Sequence, residues 1–332
     1  MMSDTTVKAA TDARRDQCAI VIVGVGRSGT SAITRGVQAL GVELGGHLRP
    51  GGGKNPTGFF EDENLLRINK QLKRLLRIRG DSVRLIEPDE WLAPAVGALQ
   101  REAAETVRRD FGQYPLWGYK YGRTLRLLPF WREVFETLRL DARYVMALRN
   151  PLSVARSRAK LDPRRGTQEH SDLEWLVNVV PYFRALPRRF LVVVDYDLVL
   201  AQPAAQLRRI AAKLGLPSSP QSETAIHAYS TQFLRPGMRH SAFSEEDLTH
   251  DRNVNQLTCE AYVRLRRLAT DECDISDPQF WQSWESIERR LAALAPVLRH
   301  IDRMQADLRR AQWNPLGPLQ AAAEAWRRFR RG

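Results

Sequence analysis

The apolar residues of this chain follow two different spacings, and the alternation between them is regular. Residues 18 to 26, CAIVIVGVG, form a nearly continuous β-branched run closed by glycines, which predicts a strand buried on both faces. The following SGTSAITRGVQAL repeats its apolar positions at helical spacing and predicts a helix that stops at Gly41. LWGYKYG (116–122), RYVMALRNP (143–151) and FLVVVDYDL (190–198) read as further strands, with LLPFWREVFETL and DLEWLVNVVPYFRAL as helices among them. Such alternation implies βαβ crossovers, so the expected fold class is α/β, three layers around a central, mostly parallel sheet.

The rest of the pattern sets the outline. RPGGGKNPTGFFEDEN (49–64) is too rich in glycine and proline for a sheet element and predicts a loop over the sheet that leads into a helix. From about residue 257 the chain reads as wholly helical. Ile287, Leu291, Leu294, Leu298, Ile301 and Leu308 keep a four-three alternation, with Gln305 breaking one seam position and Pro296 on the opposite face. That stripe is short for a coiled coil and predicts docking onto the main domain. The expected organisation is a loose N-terminus (1–17), one domain over 18–250, and a helical C-terminal extension over 251–332.

Composition narrows the partners. The 332 residues carry 51 basic and 38 acidic groups, a formal charge of +13, which favours anionic ligands without choosing among them. Zinc-finger spacing and the aromatic signature of RNA-binding modules are absent, so nucleic acid is not expected. Cys18, Cys259 and Cys273 stand far apart with no C-x-x-C pair, which argues against a disulfide scaffold or a structural zinc site and fits a reducing cytoplasm. No segment reads as a signal peptide or a membrane span. The tail, PLGPLQAAAEAWRRFRRG, has the character of a peripheral contact to an anionic membrane; a solvated charged terminus is the plainer reading. Nothing in the sequence sets the oligomeric state.

The chemistry concentrates at two strand ends. Gly24, four residues, then Gly29, Thr30 and Ser31 match the phosphate-loop pattern G-x-x-x-x-G-K-[ST] except that Thr30 replaces the lysine. Backbone N–H groups of such a loop and of the helix it opens point at an anion. Gly24, Gly26 and Gly29 would permit the tight path, and Arg27 on the crown supplies a cation in place of the missing lysine. At the second strand end, Arg149 precedes Pro151, and Ser157 lies about two helical turns on, a pairing suited to forking a phosphate and capping it with a hydroxyl. Ser153 and Arg156 are the alternative contacts if the helix register differs.

GVGRSGTS resembles the 5′-phosphosulfate loop of sulfotransferases, and RNPLSVARS (149–157) resembles their 3′-phosphate motif, in the same order along the chain. The similarity extends over NPTGFFED, WGYK, residues 193–217 and FLRPGMRHS (233–241), and it is nearest to bacterial sulfotransferases. It implies a P-loop-like fold and the cofactor 3′-phosphoadenylyl sulfate (PAPS), leaving 3′,5′-adenosine bisphosphate after transfer. The acceptor would be a hydroxyl of a glycan, glycolipid or secondary metabolite, and no metal is implied. Arg27, Ser28, Gly29, Thr30 and Ser31 would serve the 5′ side, and Arg149 with Ser157 the 3′-phosphate. Lys120 resembles the lysine placed near the sulfuryl group. Here the chain departs from the usual K-D-P-R, reading Lys120, Tyr121, Gly122, Arg123, which leaves the role of Arg123 open.

A base must take the acceptor's proton. Glu61 in GFFED is the candidate and His47 the alternative, although a carboxylate at a helix start is also favoured by the dipole alone. The places where some relatives carry a glutamate base hold Lys54, Asn55 and Pro56. Phe59 and Phe60 could cover an acceptor or anchor their loop, Trp117, Trp131 and Trp175 read as core, and Arg235 and Arg239 as solvated charges or as contacts to the 3′-phosphate or an acidic acceptor. Two rival readings stay open: an ATP-dependent P-loop kinase, and a noncatalytic nucleotide-binding homologue.

Overall fold

The computed structural model describes residues 17–52, 58–234 and 242–313; Lys54, Asn55, Pro56, Arg235, Arg239 and the basic tail lie outside the described residues. The elements follow in the order β1 (Cys18–Gly24), α1 (Thr30–Gln38), α2 (Glu63–Leu75), α3 (Pro94–Phe111), β2 (Leu116–Lys120), α4 (Leu128–Thr137), β3 (Asp141–Leu148), α5 (Pro151–Ala159) and α6 (Gln168–Phe183). They continue through β4 (Leu191–Asp195), α7 (Tyr196–Ala201), α8 (Pro203–Leu214), α9 (Pro220–Ala228), α10 (Glu245–His250), α11 (Gln256–Ala269), α12 (Pro278–Ala293) and α13 (Ala295–Trp313).

The fold is α/β, as the pattern predicts: one parallel sheet in the order β2-β1-β3-β4 with helices on both faces. Period-two alternation in the strands builds two cores. Ala19, Val21 and Val23 of β1 face the helices α2, α3, α4, α6, α11 and α12, while Ile20 and Ile22 face α1, α8 and α9. In register, Ile22 pairs with Lys120, Gly24 with Ala147, and Leu148 with Asp195, so the strands finish together at one edge. Strand order reverses about β1, which puts the crevice at that carboxyl edge, where open sheets of this kind hold ligands.

Three expected boundaries shift. The strand expected over 190–198 ends at Asp195, because the Asp195 carboxylate accepts from the N–H groups of Asp197 and Leu198 and caps α7. The helical C-terminus is interrupted between Ala269 and Pro278 and again at Leu294. Pro296, expected to sit harmlessly on the far face, has no N–H for the carbonyl of Ala292, so one long helix becomes α12 and α13. Ile287, Leu291 and Leu298 of the stripe are buried as docking requires, whereas Leu308 is 60% exposed. These helices share the first core: Phe280 and Trp284 of α12 pack on Phe183 of α6.

Candidate functional site

The loop between β1 and α1 is held by the features that make it irregular. Gly24 has φ +141°, and a Cβ there would lie 2.7 Å from the carbonyl oxygen of Ala147. Gly29 caps α1 at φ +84°, and its Cβ would fall 2.1 Å from the ring of Tyr196. Glycine is required at both positions. Gly26 differs, since no positive φ and no atom within 4 Å explains it. Arg27 takes the left-handed conformation instead, at φ 78°. No side chain caps α1 and its first turn holds no acid, so its leading amides face the hollow of the loop, an arrangement suited to an anion.

Around that hollow the two sequence motifs meet. Arg27 Nε donates to Ser157 Oγ at 3.1 Å, and Arg149 Nη1 donates to the carbonyl oxygen of Arg27 at 3.2 Å. The Arg149 guanidinium lies 4.8 Å over the ring of Tyr196, the same ring that packs on Gly29. Burial, and then the charge of Arg149, hold the Arg27 pKa below its ordinary value. Among the described residues Arg27 has no acidic partner. Two cations packed together under partial burial make a place that an anion would relax.

A third cation arrives from the adjacent strand. Lys120, 6% exposed at the end of β2, donates from Nζ to the Phe59 carbonyl at 2.8 Å, to Glu61 Oε1 at 3.1 Å and to Ser31 Oγ at 3.3 Å. A buried lysine from β2 thus stands within hydrogen-bond reach of Ser31, two residues past Gly29. Burial lowers the Lys120 pKa, and Glu61 works against that shift. The second Glu61 oxygen lies 3.9 Å from Arg49, whose guanidinium covers the Phe59 ring at 4.2 Å. Glu61 reaches this position because its segment runs antiparallel to 47–49: Arg49 N donates to the Glu61 carbonyl, and Glu63 N to that of His47.

Not every expected residue joins the group. Ser28 is fully buried, and both its N–H and its Oγ, the latter at 2.7 Å, donate to the Val25 carbonyl. Its donors are spent on the loop rather than on a ligand. Thr30 is buried at the first position of α1 and offers its backbone there. His47 is exposed and lies beside Asp62 and Asp110 instead of Lys120. Arg156 is exposed and turns over Phe243, and Ser153 is buried. Arg123 donates to the Gly80 carbonyl. Phe60 holds its loop by an edge contact with Phe233, and Trp117, Trp131 and Trp175 are core residues as expected.

Tyr196 and Arg49 were not legible as site residues. The signal for Tyr196 was its position directly after β4, at the edge that also carries Lys120 and Arg149; for Arg49 no sequence signal existed, because it reaches Glu61 through loop pairing.

No protein-family model matches the chain, and no characterised sequence does. Similar solved structures include sulfotransferase STF9 from Mycobacterium avium, 14% identical over 82% of this chain and 81% of that one, with a TM-score of 0.46. Sulfotransferase STF1 from Mycobacterium tuberculosis H37Rv aligns at 17% identity over 68% of this chain and 74% of that one, TM-score 0.42. The sulfotransferase domain of the Synechococcus PCC 7002 olefin synthase aligns at 14% identity over 83% and 95%, TM-score 0.41.

Proposed function

We propose that this chain is a sulfotransferase that binds PAPS at the carboxyl edge of its sheet and transfers the sulfuryl group to an acceptor hydroxyl. The observation that carries the reading is the contact between the two motifs: Arg149 to Arg27, and Arg27 to Ser157, although 122 and 130 residues separate the partners. The donor set fits the cofactor. Leading amides of α1 suit its 5′ side, and Arg149, Ser157 and the inward-leaning Arg27 suit its 3′-phosphate. Bound there, PAPS would supply an activated sulfuryl group for in-line displacement.

The chain's own residues do the rest. Lys120, fixed by Glu61 and the Phe59 carbonyl beside Ser31, brings positive charge to the end of the loop where charge builds on the leaving oxygen. Burial of the ammonium strengthens its field. Glu61 orients Lys120 at 3.1 Å and is the carboxylate beside that lysine for accepting the acceptor's proton. An ATP-dependent kinase reading lacks its lysine at Thr30, and nothing observed favours it over the present one.

Incubation with PAPS carrying a labelled sulfuryl group and a panel of glycans, glycolipids and phenols, read by mass spectrometry, tests the reading. Transfer to at least one hydroxyl acceptor is expected. Absence of transfer together with absence of bisphosphate binding would remove it, while binding of the bisphosphate without transfer would leave a noncatalytic homologue.

A further inference from the structure

A cavity of about 150 Å³ opens beside the crown of the loop, between Gly26 and the α5–α6 pair. Arginine dominates its wall: Arg27, Arg123, Arg158 and Arg165, against Glu174 and Asp162. The acid is already used. Glu174 is 2% exposed and takes a two-pronged fork from Arg165, with both bonds at 2.8 Å, plus His170 at 3.0 Å and Arg158 at 3.4 Å. Burial pushes Glu174 up, but His170, Arg165 and Arg158 outweigh it and hold the carboxyl at about 2. Asp162 accepts from the backbone of Arg165. Four guanidiniums line the cavity against two carboxylates; with Arg27 turned to Ser157 and the nucleotide side, the remaining three leave a surplus of one positive charge.

Those cations are held in place. One carbonyl, that of Gly80, accepts from both Arg123 and Arg165, which fixes the two guanidiniums side by side. Among the described residues Arg123 donates to no acceptor besides the Gly80 carbonyl, and its guanidinium carries further N–H groups. The cavity also borders the loop itself, because Val25, Gly26 and Arg27 form part of its wall, and Gly122 packs against Gly26: a Cβ on Gly122 would meet only the Gly26 Cα, at 3.9 Å. Neither glycine is demanded by φ, and Gly122 stands two residues past Lys120.

We propose that this cavity seats an oxyanion carried by the acceptor, a phosphate, sulfate or carboxylate close to the hydroxyl that receives the sulfuryl group. The proposal rests on the sulfotransferase reading and narrows its substrate class from any hydroxyl compound to an already anionic one. Arg123 is then a specificity residue: its fork meets the oxyanion while Lys120 faces the reacting group.

The test is calorimetric, with phenyl phosphate as probe and the wild-type protein saturated with 3′,5′-adenosine bisphosphate. Phenyl phosphate should bind this loaded protein, and more tightly than inorganic phosphate. Arg123→Met should weaken it at least tenfold, with Arg123→Lys recovering part of the loss, while bisphosphate affinity stays within twofold in both variants and so reports an intact fold. The proposal is overturned if the loaded wild type does not bind phenyl phosphate, if Arg123→Met leaves that binding unchanged, or if inorganic phosphate binds equally well. Loss of bisphosphate binding in Arg123→Met would assign the cavity to the nucleotide and overturn it too. Failure of wild type to bind the bisphosphate at all would instead strike the underlying sulfotransferase reading, and the proposal with it.

Discussion

Breaking the Lys120–Glu61 pair separates two jobs that the geometry gives to Glu61. The groups stand 3.1 Å apart at 6% and 8% exposure, so at an effective permittivity near 20 their attraction is about 5 kcal/mol. Desolvation of both returns part of that, and a coupling of about 2 to 3 kcal/mol is expected from a double-mutant cycle of Glu61→Gln, Lys120→Met and the combination, followed by urea unfolding at pH 7. Glu61→Gln alone should cost about 3 kcal/mol, because the ammonium keeps the Phe59 carbonyl and Ser31 Oγ as neutral acceptors. Burial already lowers the Lys120 pKa and Glu61 opposes it, so the amide variant lets it fall further. Turnover requires the charged lysine; its alkaline limb should therefore move to lower pH in Glu61→Gln. Bisphosphate affinity should change by no more than twofold. A coupling below about 1 kcal/mol, the ceiling of an exposed pair, would refute the buried ion pair. An unmoved alkaline limb would refute the role given to Lys120.

Other perturbations reach further into the molecule. Gly29→Ala forces a left-handed alanine against the Tyr196 ring and should cost about 2 to 4 kcal/mol in urea unfolding, with weaker bisphosphate binding because Tyr196 supports Arg149; a neutral result would contradict the cap geometry. Asp172 is pushed up to about 7 from 3.8, chiefly by burial, against hydrogen bonds from Asn255 N and Gln168. The folded chain therefore keeps a proton that the unfolded chain has lost, so stability should fall by about 4 kcal/mol as pH rises from about 4 to about 7 and then level off. Denaturation of Asp172→Asn at pH 5 and pH 8 should show that slope removed, and an unchanged slope would place the titration elsewhere. Trp284→Ala, at a fully buried site against Phe183, should cost about 3 to 5 kcal/mol and lower a single cooperative transition; separate transitions would deny the shared core.

Much of the sheet was legible in the sequence, since strands buried on both faces cannot avoid near-continuous apolar runs, as in CAIVIVG and LVVVD. The loop could be located because Gly24 and Gly29 answer to steric demands visible as a spacing. What could not be read depends on side-chain direction. Arg27 looks like a crown cation from its position alone, yet its guanidinium leans to Ser157; Ser28 looks like an anion donor, yet turns back to Val25. Glu61 stands out in the sequence by its place between a glycine-rich loop and a helix, whereas its neighbourhood to Lys120 follows from the pairing of 47–49 with 61–63, a contact between segments that no local pattern encodes. The break before α13 follows from a missing N–H at Pro296, which a face-based view of the stripe passes over.

The central claim is that Arg27 and Arg149 form one clamp on a doubly phosphorylated adenosine carrier. Calorimetric titration of 3′,5′-adenosine bisphosphate against wild type, Arg27→Ala, Arg149→Ala and the double variant measures it. Wild type should bind without magnesium, each single variant should lose about 10- to 100-fold in affinity, as expected for one charge-assisted contact, and the double variant should lose less than the product of the two. Wild-type protein that ignores the bisphosphate and binds magnesium–ATP, or an Arg149→Ala variant that binds the bisphosphate as wild type does, would contradict the account.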